Sequence, residues 1–277
     1  MWAAVGPVTI GAAMALGDGD INTVILIITL ITAVLIQVGT NFANDYYDFV
    51  KGADTEHRVG PTRATQAGLL SPSLMKKAFI ATFGLAVILG GVLVFRGRLP
   101  ILIIGVVSIL CGLLYTAGPF PLGYLGLGEL FVLIFFGPVA VGGTYYLQRA
   151  DINANVLIAG LAPGLIASAI LAVNNLRDIS TDKAAGKKTL IVRFGYNFGV
   201  AEYLFCIIVA CLIPLYLSVS SGSHYLSMLS LLTLIAAGQP MKTVCSKPTA
   251  QALNKVLAQT GLLLIIFSGL FSAGWII

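Results

Sequence analysis

Between Ile21 and Asp48 the chain reads INTVILIITLITAVLIQVGTNFANDYYD, an uncharged apolar run that ends in a dense acidic cluster. Its apolar part, 21–43, is about as long as the twenty or so residues needed to cross a hydrocarbon core. Comparable runs recur at 1–16, 78–95, 100–117, 129–147, 154–173, 199–219, 225–238 and 256–275. This pattern predicts an all-α integral membrane protein, a bundle of nine transmembrane helices occupying residues 1–277 as one domain. Composition agrees, with 58% of the 277 residues hydrophobic, 10% charged and a mean hydropathy of +0.96. Soluble domains run at about 25% charged residues, so this chain cannot cover a globule with solvated side chains.

Working outward, nine spans place the loops alternately on two sides. One side holds Lys51, Arg58, Arg63, Lys76, Lys77, Arg177, Lys183, Lys187, Lys188, Arg193, Lys242, Lys247 and Lys255, and the other only Arg96, Arg98 and Arg149. The excess of cations predicts that the loops 44–77 and 174–197 are cytoplasmic, with the N-terminus inside, in a cell (inner) membrane. The net charge of +5 is therefore a topology signal and not a nucleic-acid footprint. Met1 leads straight into an apolar run without a basic n-region, so no signal peptide is expected, and 1–16 is short for a span. Cys111, Cys206, Cys211 and Cys245 show no CxxC spacing, and His57 and His224 are far apart, which argues against a zinc site.

The acidic residues are concentrated at two places. Thr40, Asn44 and Asp48 recur every four residues, Asp45 and Asp48 are three apart, and Asp54 follows the Gly52-Ala53 turn. In the second cluster Asn174, Asp178 and Asp182 also recur every four residues, so each set falls on one helical face. Asp48 and Asp178 lie 130 residues apart at matching span ends. Two pseudo-repeated four-helix halves followed by a ninth helix would bring both clusters to one mouth of a central cavity. Carboxylates one turn apart offer hard oxygens to Mg²⁺, which is usually held by a few carboxylates plus substrate phosphates. The cations interleaved with them suit an anionic ligand head, and the apolar bundle suits a greasy tail.

These residues resemble the intramembrane aromatic prenyltransferases, the UbiA superfamily. Its Asn-x-x-x-Asp signature with a further Asp is matched by Asn44, Asp48 and Asp54, and its Asp-x-x-x-Asp signature by Asp178 and Asp182. A finer similarity is to the 1,4-dihydroxy-2-naphthoate polyprenyltransferases of menaquinone synthesis. It is carried by NDYYDFVKGADTEHRVGPTR (44–63), YTAGPFPLGYLGLGEL (115–130), FFGPVAVGGTYYLQ (135–148) and NNLRDISTDKAAGKKTLIVRFG (174–195). The resemblance covers nearly the whole chain, with the last two spans generic. It departs at the start, where relatives have a longer first helix led by a stretch like Arg-Pro-x-Thr-Leu-Pro.

The resemblance implies that Asn44, Asp48, Asp54, Asp178 and Asp182 hold Mg²⁺, or Mn²⁺ in its place, and that the aspartates are catalytic through it. Lys51, Arg58, Arg63, Lys187 and Lys188 would contact the diphosphate of a polyprenyl diphosphate. Asn175, Tyr115, Tyr145 and Tyr146 would line the pocket for the allylic carbocation or the acceptor, 1,4-dihydroxy-2-naphthoate, which is prenylated with loss of carbon dioxide. The tail would lie between helices, open to the bilayer. Two alternatives stand beside this reading: another acceptor such as 4-hydroxybenzoate, homogentisate or haem, and a cation transporter using paired carboxylates. The acids' position at span ends, among Arg and Lys, counts against the transporter.

Overall fold

The computed structural model describes residues 2–52, 60 and 63–277. In chain order the helices are α1 (Trp2–Gly17), α2 (Thr23–Val50), α3 (Pro72–Leu114), α4 (Gly128–Ile134), a π-helical turn (Phe135–Val139), α5 (Ala140–Arg149), α6 (Ala154–Arg177), α7 (Ile179–Ala184), α8 (Leu190–Phe194), α9 (Tyr196–Ser221), a 3₁₀ segment (Tyr225–Leu232), α10 (Thr233–Cys245) and α11 (Ala250–Ile276). No strand forms among the described residues. The outward faces carry Ile80, Ile88, Phe205 and Ile235, all well exposed, as expected where lipid is the solvent. The chain is a multi-pass membrane protein.

Among the described residues, seven helices are long and apolar enough to cross a membrane. The count of nine is not reached on that criterion, for two physical reasons. α1 has only 16 residues. α3 has 43 residues and carries both expected spans 78–95 and 100–117. As a straight helix it would put Phe83 about 39 Å from Ile109, yet both pack into one cluster with Ala43 of α2. The chain therefore doubles back at Arg98, whose φ of 54° and ψ of −148° break the helix two residues before Pro100. The residue before a proline is itself pushed out of the helical region, which concentrates the turn there.

α6 is the central element, buried along most of its length against α9, α11, α4 and the π-helical turn. Its contact with the turn depends on missing side chains. A Cβ on Gly160 would stand 2.8 Å from Pro138 Cα, and one on Gly137 would stand 2.8 Å from Gly160 O. A Cβ on Gly164 would collide with the Leu133 carbonyl. With no hydrophobic drive between helices in lipid, such close backbone approach is how they gain packing energy.

The end of the bundle away from the acidic clusters is held by polar ties. Arg96 donates through Nε and Nη2 to the carbonyls of Leu147 and Gln148 (3.2 and 3.0 Å), and Asn22 N–H donates to Gln148 Oε1 (2.7 Å). Since α2 runs 28 residues from this end, about 42 Å at helical rise, its last turn is delivered to the opposite end.

Gly164→Val should destabilise the protein by about 1–3 kcal/mol, as overpacked sites do. Gly84→Ala in α3, where a Cβ meets open space, should be neutral or mildly stabilising. Thermal unfolding in one detergent would test the pair, and equal melting points would show that the glycine contact is not limiting.

Candidate active site

The C-terminal ends of α2 and α6, the loop 115–127 and the segment 178–189 enclose one end of a cavity of about 870 Å³. Asn44, Asp48, Arg63, Tyr115, Asn174, Asn175, Asp178, Asp182 and Lys187 all line it. The two clusters predicted to converge therefore do so in space. Below them the walls turn apolar, through Ile36, Ile109, Phe131, Phe135 and Leu147 down to Ala4 and Val8. A polar head end and a long greasy body suit an amphiphile lying along the bundle.

Each carboxylate at the mouth faces a cation. Asp48 Oδ2 stands 3.7 Å from Arg63 Nη2, and its Oδ1 accepts from the Tyr124 hydroxyl at 2.9 Å. Asp178 takes both Arg177 Nε (2.8 Å) and Nη2 (2.6 Å), and Asp182 Oδ1 is 3.1 Å from Lys187 Nζ. The charges also act on one another. Burial raises the Asp182 carboxyl above the usual range, Lys187 opposes this, and Asp178 and Asp48 reinforce it. Tyr115 is pushed up well beyond an ordinary phenol by burial, and then by Glu129, Asp48 and Asp182. The acids thus sense one another across the gap between the two helix ends.

Other residues of the two clusters have different duties. Asp45 is turned away from the cavity and accepts the backbone N–H groups of Ala64 (3.0 Å) and Thr65 (3.3 Å), pinning the returning loop to α2. Asn44 Oδ1 accepts from the Thr116 hydroxyl at 2.9 Å. Asp54 and Arg58 lie outside the described residues.

Four of the expected residues stand away from the cavity. Tyr145 is buried, but its hydroxyl donates to Asp18 (2.5 Å) and accepts from Asn153 (3.3 Å), at the end where α1 gives way to α2. Tyr146 packs against the Leu93, Ile101 and Leu147 cluster. Neither lines the cavity, because the π-helical turn at Gly137-Pro138 resets which face of this span looks inward. Lys51 lies outside the cavity, its Nζ donating to the carbonyls of Thr116 (2.6 Å) and Gly118 (2.9 Å). Lys188 is exposed, its backbone N–H bound to Tyr124 O at 2.8 Å.

Tyr124 was not anticipated. Its ring is within cation–π distance of both Lys51 Nζ (5.3 Å) and Lys187 Nζ (5.0 Å), while its hydroxyl holds Asp48. Glu129 was also missed, although an acid in the first turn of an apolar span is a sequence signal in its own right.

Among the described residues no three or more His, Cys, Asp or Glu side chains form a cage for a metal ion. The donor set still fits Mg²⁺, which keeps waters and is held by one or two carboxylates plus substrate phosphates. Hard oxygens of Asp48, Asp178 and Asp182 on facing helix ends leave the remaining positions to such a ligand.

Comparison with known proteins agrees with this fold. A Haemophilus influenzae protein named 1,4-dihydroxy-2-naphthoate octaprenyltransferase is 36% identical over 269 residues, covering 92% of this chain and 85% of its own. The apo structure of a UbiA homolog from Aeropyrum pernix K1 superposes with a TM-score of 0.75 at 13% identity, covering 97% and 96% of the two chains. A UbiA homolog from Archaeoglobus fulgidus bound to DMAPP and Mg²⁺ gives 0.67 at 15%, covering 99% and 95%. Residues 4–259 match the UbiA prenyltransferase family, and with acidic helix ends facing across an apolar cavity the chain belongs to that family.

Proposed function

We propose that this chain transfers a polyprenyl group from an allylic diphosphate to 1,4-dihydroxy-2-naphthoate, with loss of carbon dioxide, giving demethylmenaquinone. The observation that carries this reading is the cavity: carboxylates and cations at one end, and an apolar body large enough for an isoprenoid tail. The activity named for the Haemophilus influenzae relative supports the choice of acceptor. The whole chain acts as one catalytic unit in the cell membrane, with the acidic mouth on the cytoplasmic side, an orientation that the excess of Lys and Arg supports.

Asn44, Asp48, Asp54, Asp178 and Asp182 are the residues that would hold Mg²⁺ (or Mn²⁺). When bound, the ion supplies charge neutralisation on the diphosphate oxygens. Arg63 and Lys187 line the same end and bind the diphosphate directly, so that charge gathering on the leaving group is met by preorganised cations. Tyr124 orients Asp48 and keeps Lys187 close. Tyr115 at the polar end and Phe131 and Phe135 below it offer aromatic rings to the allylic cation, a favourable contact once water is excluded. The apolar walls keep water from capturing the cation before the aromatic ring does.

Three measurements test this reading on detergent-purified, monodisperse protein supplied with a radiolabelled polyprenyl diphosphate and a panel of aromatic acceptors. Asp48→Asn and Asp178→Asn preserve side-chain volume and should lose about 10²–10³ in turnover, the scale of losing one electrostatic stabiliser, and Asp178→Asn should also lower the melting point because it leaves the buried Arg177 without its carboxylate. Near wild-type rates would reduce these carboxylates to helix caps. Lys187→Ala should lose roughly ten- to a hundred-fold, as for a charged hydrogen bond, while Lys188→Ala stays within a few-fold. The reverse ranking would mean that the diphosphate sits elsewhere. Thorough chelation should stop turnover and added Mg²⁺ restore it, whereas full activity in excess chelator would rule out metal assistance.

A further inference from the structure

α6 meets α4 along a single face. Gly160 lies against Pro138, Gly164 against the Leu133 carbonyl, and Leu171 against Gly128. In the same row Ser168 Oγ donates to Glu129 O at 3.2 Å, and Asn175 Nδ2 donates to Glu129 Oε1 at 2.8 Å. The spacings of three and four residues make this one continuous ridge, so the glycine contacts fix the register that brings Glu129 opposite Asn175. Both side chains are buried, at 8% and 6% exposure. Only Asn175 lines the cavity; Glu129 stands behind it in the wall.

An amide side chain has a donor end and an acceptor end, and the carboxyl oxygen Oε1 of Glu129 accepts from the donor end. Glu129 therefore takes the Asn175 NH₂ group and leaves Oδ1 as the free end. That oxygen has no partner among the described residues and is not among the side-chain atoms sealed from the cavity. It lies three residues before Asp178, about 4.5 Å deeper along the helix axis, on the apolar side of the carboxylates.

We propose that Glu129 is a positioning residue that sets Asn175 Oδ1 as a hydrogen-bond acceptor for a ring hydroxyl of the aromatic acceptor. This rests on the prenyl-transfer reading and adds a selectivity to it. A dihydroxy aromatic ring donates to Oδ1. The same ring oxidised to a quinone has only carbonyls there and leaves a buried acceptor unpaired, which is costly. The site thus selects the reduced acceptor and places its ring just below the diphosphate.

The test separates the Michaelis constants of the two substrates. Asn175→Ala and Glu129→Ala should each raise the acceptor KM roughly ten- to a hundred-fold and leave the prenyl diphosphate KM within about two-fold. The double variant should be no worse than either single, since both remove the same contact. A mono-O-methylated acceptor should bind wild type more weakly than the parent compound but bind Asn175→Ala equally well, measured by calorimetry without metal or diphosphate. Glu129→Gln, which keeps volume but can present either amide end, should raise the acceptor KM severalfold and covers the case in which Glu129→Ala fails to fold. An unchanged acceptor KM in Asn175→Ala and Glu129→Gln, a parallel rise in both KM values, or additive losses in the double variant would overturn the proposal. Wild-type protein inactive on every aromatic acceptor would instead overturn the prenyl-transfer reading itself.

Discussion

Three carboxylates at the end of an apolar bundle would repel one another and any anionic ligand, and the structure answers each with a cation. Arg63 faces Asp48, Arg177 grips Asp178, and Lys187 meets Asp182. Arg177 is itself braced by Asn174 Oδ1 (2.6 Å) and Asn254 Oδ1 (3.0 Å), so its side chain is fully buried yet well bonded. Breaking such a buried pair by removing one partner leaves an uncompensated charge, which is more costly than forming the pair is favourable. The helix ends, the loop carrying Tyr124 and the start of α11 are all arranged around this balance.

Much of this was legible in the sequence, because charge is rare here and hydrophobic length is a direct physical demand. The spacing of Asn44 and Asp48, and of Asn174, Asp178 and Asp182, put each set on one face, and the structure brings both to one cavity. The turn between the expected spans 78–95 and 100–117 was marked by Arg96, Arg98 and Pro100, and the chain reverses at Arg98.

What escaped was side-chain direction. Lys187 and Lys188 are equivalent in composition, yet one faces Asp182 and the other is exposed, because the chain between Ala185 and Thr189 is not helical and has no period to read. Tyr145 and Tyr146 were named for the pocket on resemblance alone, but the π-helical turn at Gly137 shifts the register halfway along. Asp45 looked like a partner for Asp48 and instead holds backbone groups of Ala64 and Thr65, contacts made with residues 19 and 20 positions away. Partners of that kind exist only after the loop has folded back.

The support that Asn254 gives to Arg177 has a bearing on biogenesis. Asp48 comes from α2, Asp178 from the end of α6, and the amide that steadies Arg177 from α11, the latest-made of the three. A nascent chain lacking α11 therefore has its acidic ends in place but one guanidinium contact short. The catalytic mouth is completed only once α11 has been made and inserted, so a fragment released before it would be a poor enzyme even where the preceding helices are seated in the bilayer.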